Sequence, residues 1–79
     1  MMSNRKNVLD MKRIGLTPGI PDYWVILSNG KIAAIEFKSS RGKASEEQIR
    51  IGNILLAAGI NYAVCKSSHE AVQFIENLM

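Results

Sequence analysis

The dipeptide Asn29-Gly30, which lies between two apolar runs, constrains the fold of this chain more than any other feature. Residues 23–27 (Tyr-Trp-Val-Ile-Leu) are rich in aromatic and β-branched side chains, which predicts a strand. Asn-Gly is the strongest short signal for a β-hairpin, because both residues tolerate the positive φ angles of a tight turn. Residues 32–38 are therefore expected to form the antiparallel partner strand.

The residues after the hairpin predict a helix, a strand and a second helix. Ser45 and Gln48 have the spacing of a capping box, so a helix is expected to begin there. Residues 61–65 predict a third strand, which should lie parallel to the second because a helix connects them. Ser67 and Glu70 repeat the capping-box spacing and predict the start of a last helix.

These elements predict an α/β domain with a three-stranded mixed sheet, an antiparallel hairpin plus a parallel strand, flanked by helices. The 79 residues are expected to form one domain, with a core at 15–79 and an N-terminal arm or short helix at 1–14. A domain this small has a thin core and exposed sheet edges, which favours a homodimer.

Composition excludes several classes of site. With one cysteine, Cys65, and one histidine, His69, the chain has no internal disulfide, no multi-cysteine zinc site and no cluster of His and Cys ligands for a metal. Any metal must be held by carboxylates and carbonyls, which suit Mg²⁺ or Mn²⁺. The net charge of +3 is compatible with nucleic acid as a partner. No apolar run is long enough for a membrane span and no secretory signal is evident, so we expect a soluble, cytoplasmic protein.

Two carboxylates and a lysine meet at one end of the predicted hairpin. Asp22 and Glu36 lie at nearly equal distances from the turn and should be near neighbours across the two strands. Lys38 shares the strand face of Glu36, because side chains alternate. Two carboxylates this close repel each other unless a cation lies between them. They are candidate ligands of Mg²⁺ or Mn²⁺, with the Phe37 carbonyl as a further ligand and Lys38 to orient or deprotonate a water that attacks a phosphodiester.

Each of these residues also has a purely structural interpretation. Asp22 follows a proline and can simply begin a strand. Glu36 and Lys38 can form a solvated ion pair on an exposed strand face. The convergence of three such groups across one hairpin favours a site over these separate explanations.

The basic loop after the second strand has two open interpretations. Arg41 and Lys43 either contact a phosphate backbone, where contacts position a nucleic acid without reading its sequence, or lie in a solvated loop. Ser39 could hydrogen-bond a phosphate or serve the loop alone.

The motif Asp22…Glu36-Phe37-Lys38, with Pro21 before the aspartate, resembles the core motif of PD-(D/E)xK nucleases. A wider pattern is similar to the VRR-NUC family of that superfamily, over residues 15–79. It comprises Gly19-Ile20-Pro21-Asp22, Ile35-Glu36-Phe37-Lys38, Gly42, Ser45-Glu46-Glu47-Gln48 and Gly59.

This resemblance implies a restriction-endonuclease-like core and a homodimeric, metal-dependent endonuclease that acts on branched DNA such as Holliday junctions. It implies that Asp22 and Glu36 bind the metal, that Lys38 is catalytic and that Gln48 lies in the same site. The alternative is a catalytically idle nucleic-acid-binding or dimerisation module that retains the nuclease fold.

The chain departs from the family pattern in one respect. VRR-NUC members usually carry an earlier glutamate on an N-terminal helix, whereas no glutamate precedes Glu36 here and Asp10 is the only other early acidic residue besides Asp22. Three explanations stay open: Asp10 replaces the glutamate, the site works with fewer ligands, or a longer N-terminus belongs to the protein.

Overall fold

In a computed structural model the chain forms a four-stranded sheet with strand order β1-β2-β3-β4. The structure describes the backbone of residues 8–13 and all atoms of residues 19–79. The elements in chain order are β1 (Val8–Arg13), β2 (Tyr23–Leu27), β3 (Ile32–Phe37), α1 (Glu46–Ala57), β4 (Asn61–Cys65) and α2 (Ser68–Leu78).

The predicted hairpin and its parallel neighbour are confirmed. β2 pairs with β3 antiparallel, and β3 pairs with β4 parallel, as expected for strands joined by a tight turn and by a helix, respectively. The turn differs in detail from a two-residue loop, because Leu27 N–H donates to the Lys31 carbonyl at 2.9 Å and three residues lie between them. Gly30 has a φ of 89°, which closes this three-residue loop in the left-handed region that glycine adopts readily.

The expectation of a short helix within residues 1–14 is wrong for Val8–Arg13, which form β1, a fourth strand antiparallel to β2. The register shifts between Val8 and Asp10, so one extra residue is inserted in β1. A bulge of this kind breaks the two-residue alternation of a strand, and the apolar spacing then looks helical. The rest of the 1–14 segment lies outside the described residues.

The two helices lie on opposite faces of the sheet. Ile35 and Cys65 face α2 and pack with Ala71 in the main apolar core. On the other face, α1 passes so close to β4 that an added Cβ at Gly52 would lie 2.6 Å from the Tyr62 ring. This is the face to which Glu36 and Lys38 point, since both alternate with Ile35 along β3.

Both predicted helix starts are present. At α1 the capping box is complete, with Ser45 and Gln48 exchanging two hydrogen bonds between side chain and backbone. At α2 only half of the box forms: Ser67 Oγ accepts from Glu70 N–H at 3.2 Å, but Glu70 Oε1 accepts from Lys66 N–H at 2.7 Å. Neither helix of the described chain is long and apolar enough to cross a membrane.

Candidate active site

The hairpin register brings Asp22 and Glu36 together. Tyr23 pairs with Ile35, and one further step of this antiparallel register places Asp22 opposite Glu36. Asp22 is also fixed by the backbone, because its Oδ2 accepts a hydrogen bond from Phe37 N–H at 3.1 Å. The aspartate side chain therefore extends the hairpin beyond its last backbone pair.

Glu36 is the buried charged residue of the described chain, with only 4% of its surface exposed. Its pKa is raised from 4.5 to about 7, mainly by burial and further by the charge of Asp22 and a hydrogen bond shared with it. The Lys38 ammonium opposes the rise in pKa but does not cancel it. A carboxyl group held beside a second carboxylate in this way is unfavourable for folding and is typical of a functional site.

Lys38 completes the convergence of the three predicted groups. Its Nζ lies 3.9 Å from Glu36 Oε2, and its side chain is 23% exposed. Its backbone N–H donates to the Cys65 carbonyl at 3.0 Å, which continues the β3–β4 pairing past the end of β3. The lysine is thus anchored at the mouth of the site with its ammonium near both the carboxylate and solvent.

The remaining predicted site residues lie after β3. Ser39, Arg41 and Lys43 are exposed in the loop that leaves Lys38, and Gly42 N–H donates to the Ser39 carbonyl at 3.0 Å to form a turn. The Gln48 amide oxygen accepts from Ser45 N–H at 2.9 Å, so this atom serves the helix cap. A role of Gln48 in the site itself stays a prediction.

Two aromatic residues near the site were not singled out for it by sequence reasoning. Burial raises the pKa of the Tyr62 phenol, and the charges of Glu36 and Asp22 raise it further, so the phenol lies within electrostatic reach of both carboxylates. Trp24 shares the strand face of Asp22, and its Nε1 is buried without a hydrogen-bond partner. Strand alternation could have assigned both residues to this face of the sheet. Only the packing of α1 over β4 shows how closely the Tyr62 ring approaches Gly52.

The donor set can be compared with the needs of a metal ion. Asp22, Glu36 and the Phe37 backbone offer hard oxygen ligands, and Mg²⁺ is commonly held by one or two carboxylates with several waters. Within residues 19–79, whose side chains are described, no three His, Cys, Asp or Glu side chains form a metal-binding group. Asp10 lies on β1 opposite Ile26, and its side chain lies outside the described atoms. Two convergent carboxylates, one with a raised pKa, fit a single hydrated divalent cation.

This architecture is that of a restriction-endonuclease-like nuclease core: a hairpin with Asp22 and Glu36-x-Lys38 at its end, a parallel strand, and flanking helices. The family model described as the VRR-NUC domain matches residues 2–69. The chain therefore belongs to the VRR-NUC family of the PD-(D/E)xK nuclease superfamily, and a nuclease-type function follows. No curated protein and no solved structure gave a significant match to the chain.

Proposed function

We propose that the protein is an Mg²⁺- or Mn²⁺-dependent endonuclease that hydrolyses phosphodiester bonds in DNA. The observation that carries this proposal is the cluster of Asp22, Glu36 and Lys38: a buried carboxyl group opposite a second carboxylate, with an ammonium 3.9 Å away. The core alone does not require such an arrangement, because replacing the charged pair by apolar residues is often neutral or stabilising.

Asp22, Glu36 and the Phe37 carbonyl would hold the cation. When bound, the cation supplies positive charge to the scissile phosphate and makes its attacking water more acidic. Asp22 is held in place by the Phe37 N–H, so it needs little reorganisation. Lys38 can hydrogen-bond the attacking water and the phosphate from the solvent-facing side of Glu36. Gln48 keeps the start of α1 in place through the cap, and we include it as a supporting residue of the site.

Two more specific proposals concern the DNA substrate and the oligomeric state. Ser39, Arg41 and Lys43 follow directly after Lys38 and are exposed, which suits contacts with the phosphates on either side of the cut. Branched DNA, such as a four-way junction in a bacterial or phage-infected cytoplasm, is the substrate that the family resemblance favours.

A homodimer would also explain an apolar surface. Ile49 and Leu56, two turns apart on α1, are 52% and 54% exposed. A second copy could cover them. Leu56→Glu should then shift the sedimentation coefficient to that of a monomer, whereas a wild-type monomer would refute the dimer.

A cleavage assay on junction, flap and linear duplex DNA with Mg²⁺ or Mn²⁺ tests the activity. Asp22→Asn and Lys38→Met should each lower the single-turnover rate by at least about 100-fold, which is typical of losing a metal ligand or a proton-handling group. The asparagine introduced by Asp22→Asn retains an oxygen that can accept the Phe37 N–H, so the hairpin should stay folded. Lys31→Met, an exposed lysine at the other end of β3, is the matched control and should cleave like the wild type. A wild-type protein that cuts none of these DNAs with either metal would refute the proposal.

A second function, an idle nucleic-acid-binding module, has one observation in its favour. The described side chains supply only two carboxylates to the site, and no larger metal-binding group. Calorimetric titration with Mn²⁺ separates the two functions. The nuclease should bind the metal and lose that binding in Glu36→Gln, whereas the idle module should show no metal binding that depends on Glu36.

A further inference from the structure

Lys66 places its ammonium group on the turn that follows Lys38. Its Nζ donates to three backbone carbonyls, those of Gly42 at 2.6 Å, Ser39 at 3.2 Å and Ser40 at 3.4 Å. A lysine ammonium has three donors and no acceptor, so three convergent carbonyls satisfy it fully. The residues in contact are 24 to 27 positions apart in the sequence. Lys66 thus joins the end of β4 to the turn 39–42.

Lys66 is itself fixed in place at its backbone. Its N–H donates to Glu70 Oε1 at 2.7 Å, in the first turn of α2. The residue before it, Cys65, accepts a hydrogen bond from Lys38 N–H at 3.0 Å. Lys66 therefore extends from a rigid point of the sheet, next to the backbone of the proposed catalytic lysine.

The turn 39–42 folds tightly against Lys38. Gly42 N–H donates to the Ser39 carbonyl at 3.0 Å. A Cβ added at Gly42 would lie 3.1 Å from Ser39 Oγ and 3.4 Å from Lys38 Cβ. The path of this turn sets the direction in which the Arg41 side chain extends and limits the space around Lys38.

We propose that Lys66 is a positioning residue, which holds the turn 39–42 so that Lys38 and Arg41 face the same DNA phosphate backbone. Its effect on DNA rests on the proposed nuclease function, whereas its contact with the turn does not. Lys66 acts through geometry, because its charge is directed at peptide carbonyls of the turn. Without these hydrogen bonds the exposed turn regains conformational freedom. Arg41, which lies in the turn, and Lys38, which precedes it, then lose their common orientation.

Limited proteolysis tests the contact with the turn in protein that holds neither DNA nor metal. Trypsin cuts after Arg41 and Lys43, and the fragments are identified by mass. Lys66→Met should raise the rate of these cuts at least about fivefold, since opening of the turn becomes easier when its hydrogen bonds are lost. Lys66→Arg, which keeps charged donors, and Lys31→Met, the control, should be cut at close to the wild-type rate.

Thermal unfolding of the same proteins shows whether the effect is local. A Lys66→Met protein whose turn is cut at the wild-type rate would overturn the proposal. So would faster cutting that follows entirely from a lower unfolding temperature. If Lys66→Met does not fold, Lys66→Ala takes its place, because it also removes all three donors and leaves no long apolar side chain on the surface.

DNA binding and cleavage test the positioning role. Fluorescence anisotropy in EDTA should show that Lys66→Met binds a four-way junction roughly threefold to tenfold more weakly, with rescue by Lys66→Arg. The single-turnover cleavage rate at saturating DNA should fall about tenfold as well. Faster proteolysis with wild-type DNA binding and cleavage would overturn the positioning role. If the wild type neither binds nor cuts DNA, the proposed function fails, and the proteolysis result alone still decides whether Lys66 holds the turn.

Discussion

Replacing Glu36 with glutamine should make the metal-free protein more stable at alkaline pH. The folded-state pKa of Glu36 is about 7, against 4.5 for an unperturbed glutamate, because the group is buried beside Asp22. Between these two values the folded state holds a proton that the unfolded state has already released. The free energy of unfolding must therefore fall as pH rises from about 4.5 to 7, which is the sign expected for a carboxyl group with a raised pKa.

The size of this effect follows from the two pKa values, which differ by 2.5 (7 − 4.5). At about 1.4 kcal/mol per pKa unit, ionised Glu36 costs the folded state about 3 kcal/mol at pH 8 and under about 1 kcal/mol at pH 5. The glutamine introduced by Glu36→Gln keeps the shape of the side chain, removes the charge and can donate a hydrogen bond to Asp22. The stability gained by Glu36→Gln should thus be about 2 kcal/mol larger at pH 8 than at pH 5.

Urea unfolding in EDTA at both pH values, followed by circular dichroism, measures this difference. The control is Glu76→Gln, an exposed carboxylate on α2, which should keep the wild-type pH dependence. Adding Mg²⁺ at pH 8 should stabilise the wild type and leave Glu36→Gln unchanged, because a ligand stabilises only the state that binds it. A gain that is equal at the two pH values, or a loss of stability at pH 8, would refute the reasoning.

Two further predictions concern packing around the sheet. Gly52→Ala should lower the free energy of unfolding, measured in urea, by about 1–2 kcal/mol, since overpacking against the Tyr62 ring outweighs the gain in helix propensity. In a Tyr62→Ala background the same substitution should become stabilising, and a loss of stability in that background would contradict the steric explanation. Cys65 is 2% exposed, and the pKa of its thiol is raised by burial and then by the charge of Glu70. The thiol should react with a disulfide reagent at neutral pH only as fast as the protein unfolds locally, and a rapid reaction of the folded protein would contradict this prediction.

The candidate site was largely predictable because it depends on local rules. The turn at Asn29-Gly30 and strand alternation together bring Asp22 opposite Glu36 and place Lys38 on the same face. The loop has three residues instead of two, which moves the centre of the turn by half a residue and makes the carboxylates direct partners. A small error in the turn therefore did not change which side chains meet.

The errors arose where a segment or side chain has more than one available hydrogen-bonding partner. β1 forms because the free edge of β2 offers hydrogen bonds, and its bulge hides the strand periodicity in the sequence. In the same way, Glu70 has the spacing to cap its own helix, yet it accepts from Lys66 N–H. Several acceptable partners exist locally in each case, and the surrounding structure selects one.

The sequence by itself determined the hairpin, the helix starts, the parallel strand and the meeting of Asp22, Glu36 and Lys38, because turn chemistry, capping and periodicity act over a few residues. Only the tertiary structure decided how far the pKa of Glu36 is shifted and which distant elements contact one another. The burial that raises the Glu36 pKa, the approach of Tyr62 to Gly52 and the hydrogen bonds from Lys66 to the turn 39–42 all depend on elements that are far apart in the chain. Desolvation and long-range contacts arise from packing, and no short stretch of residues encodes them.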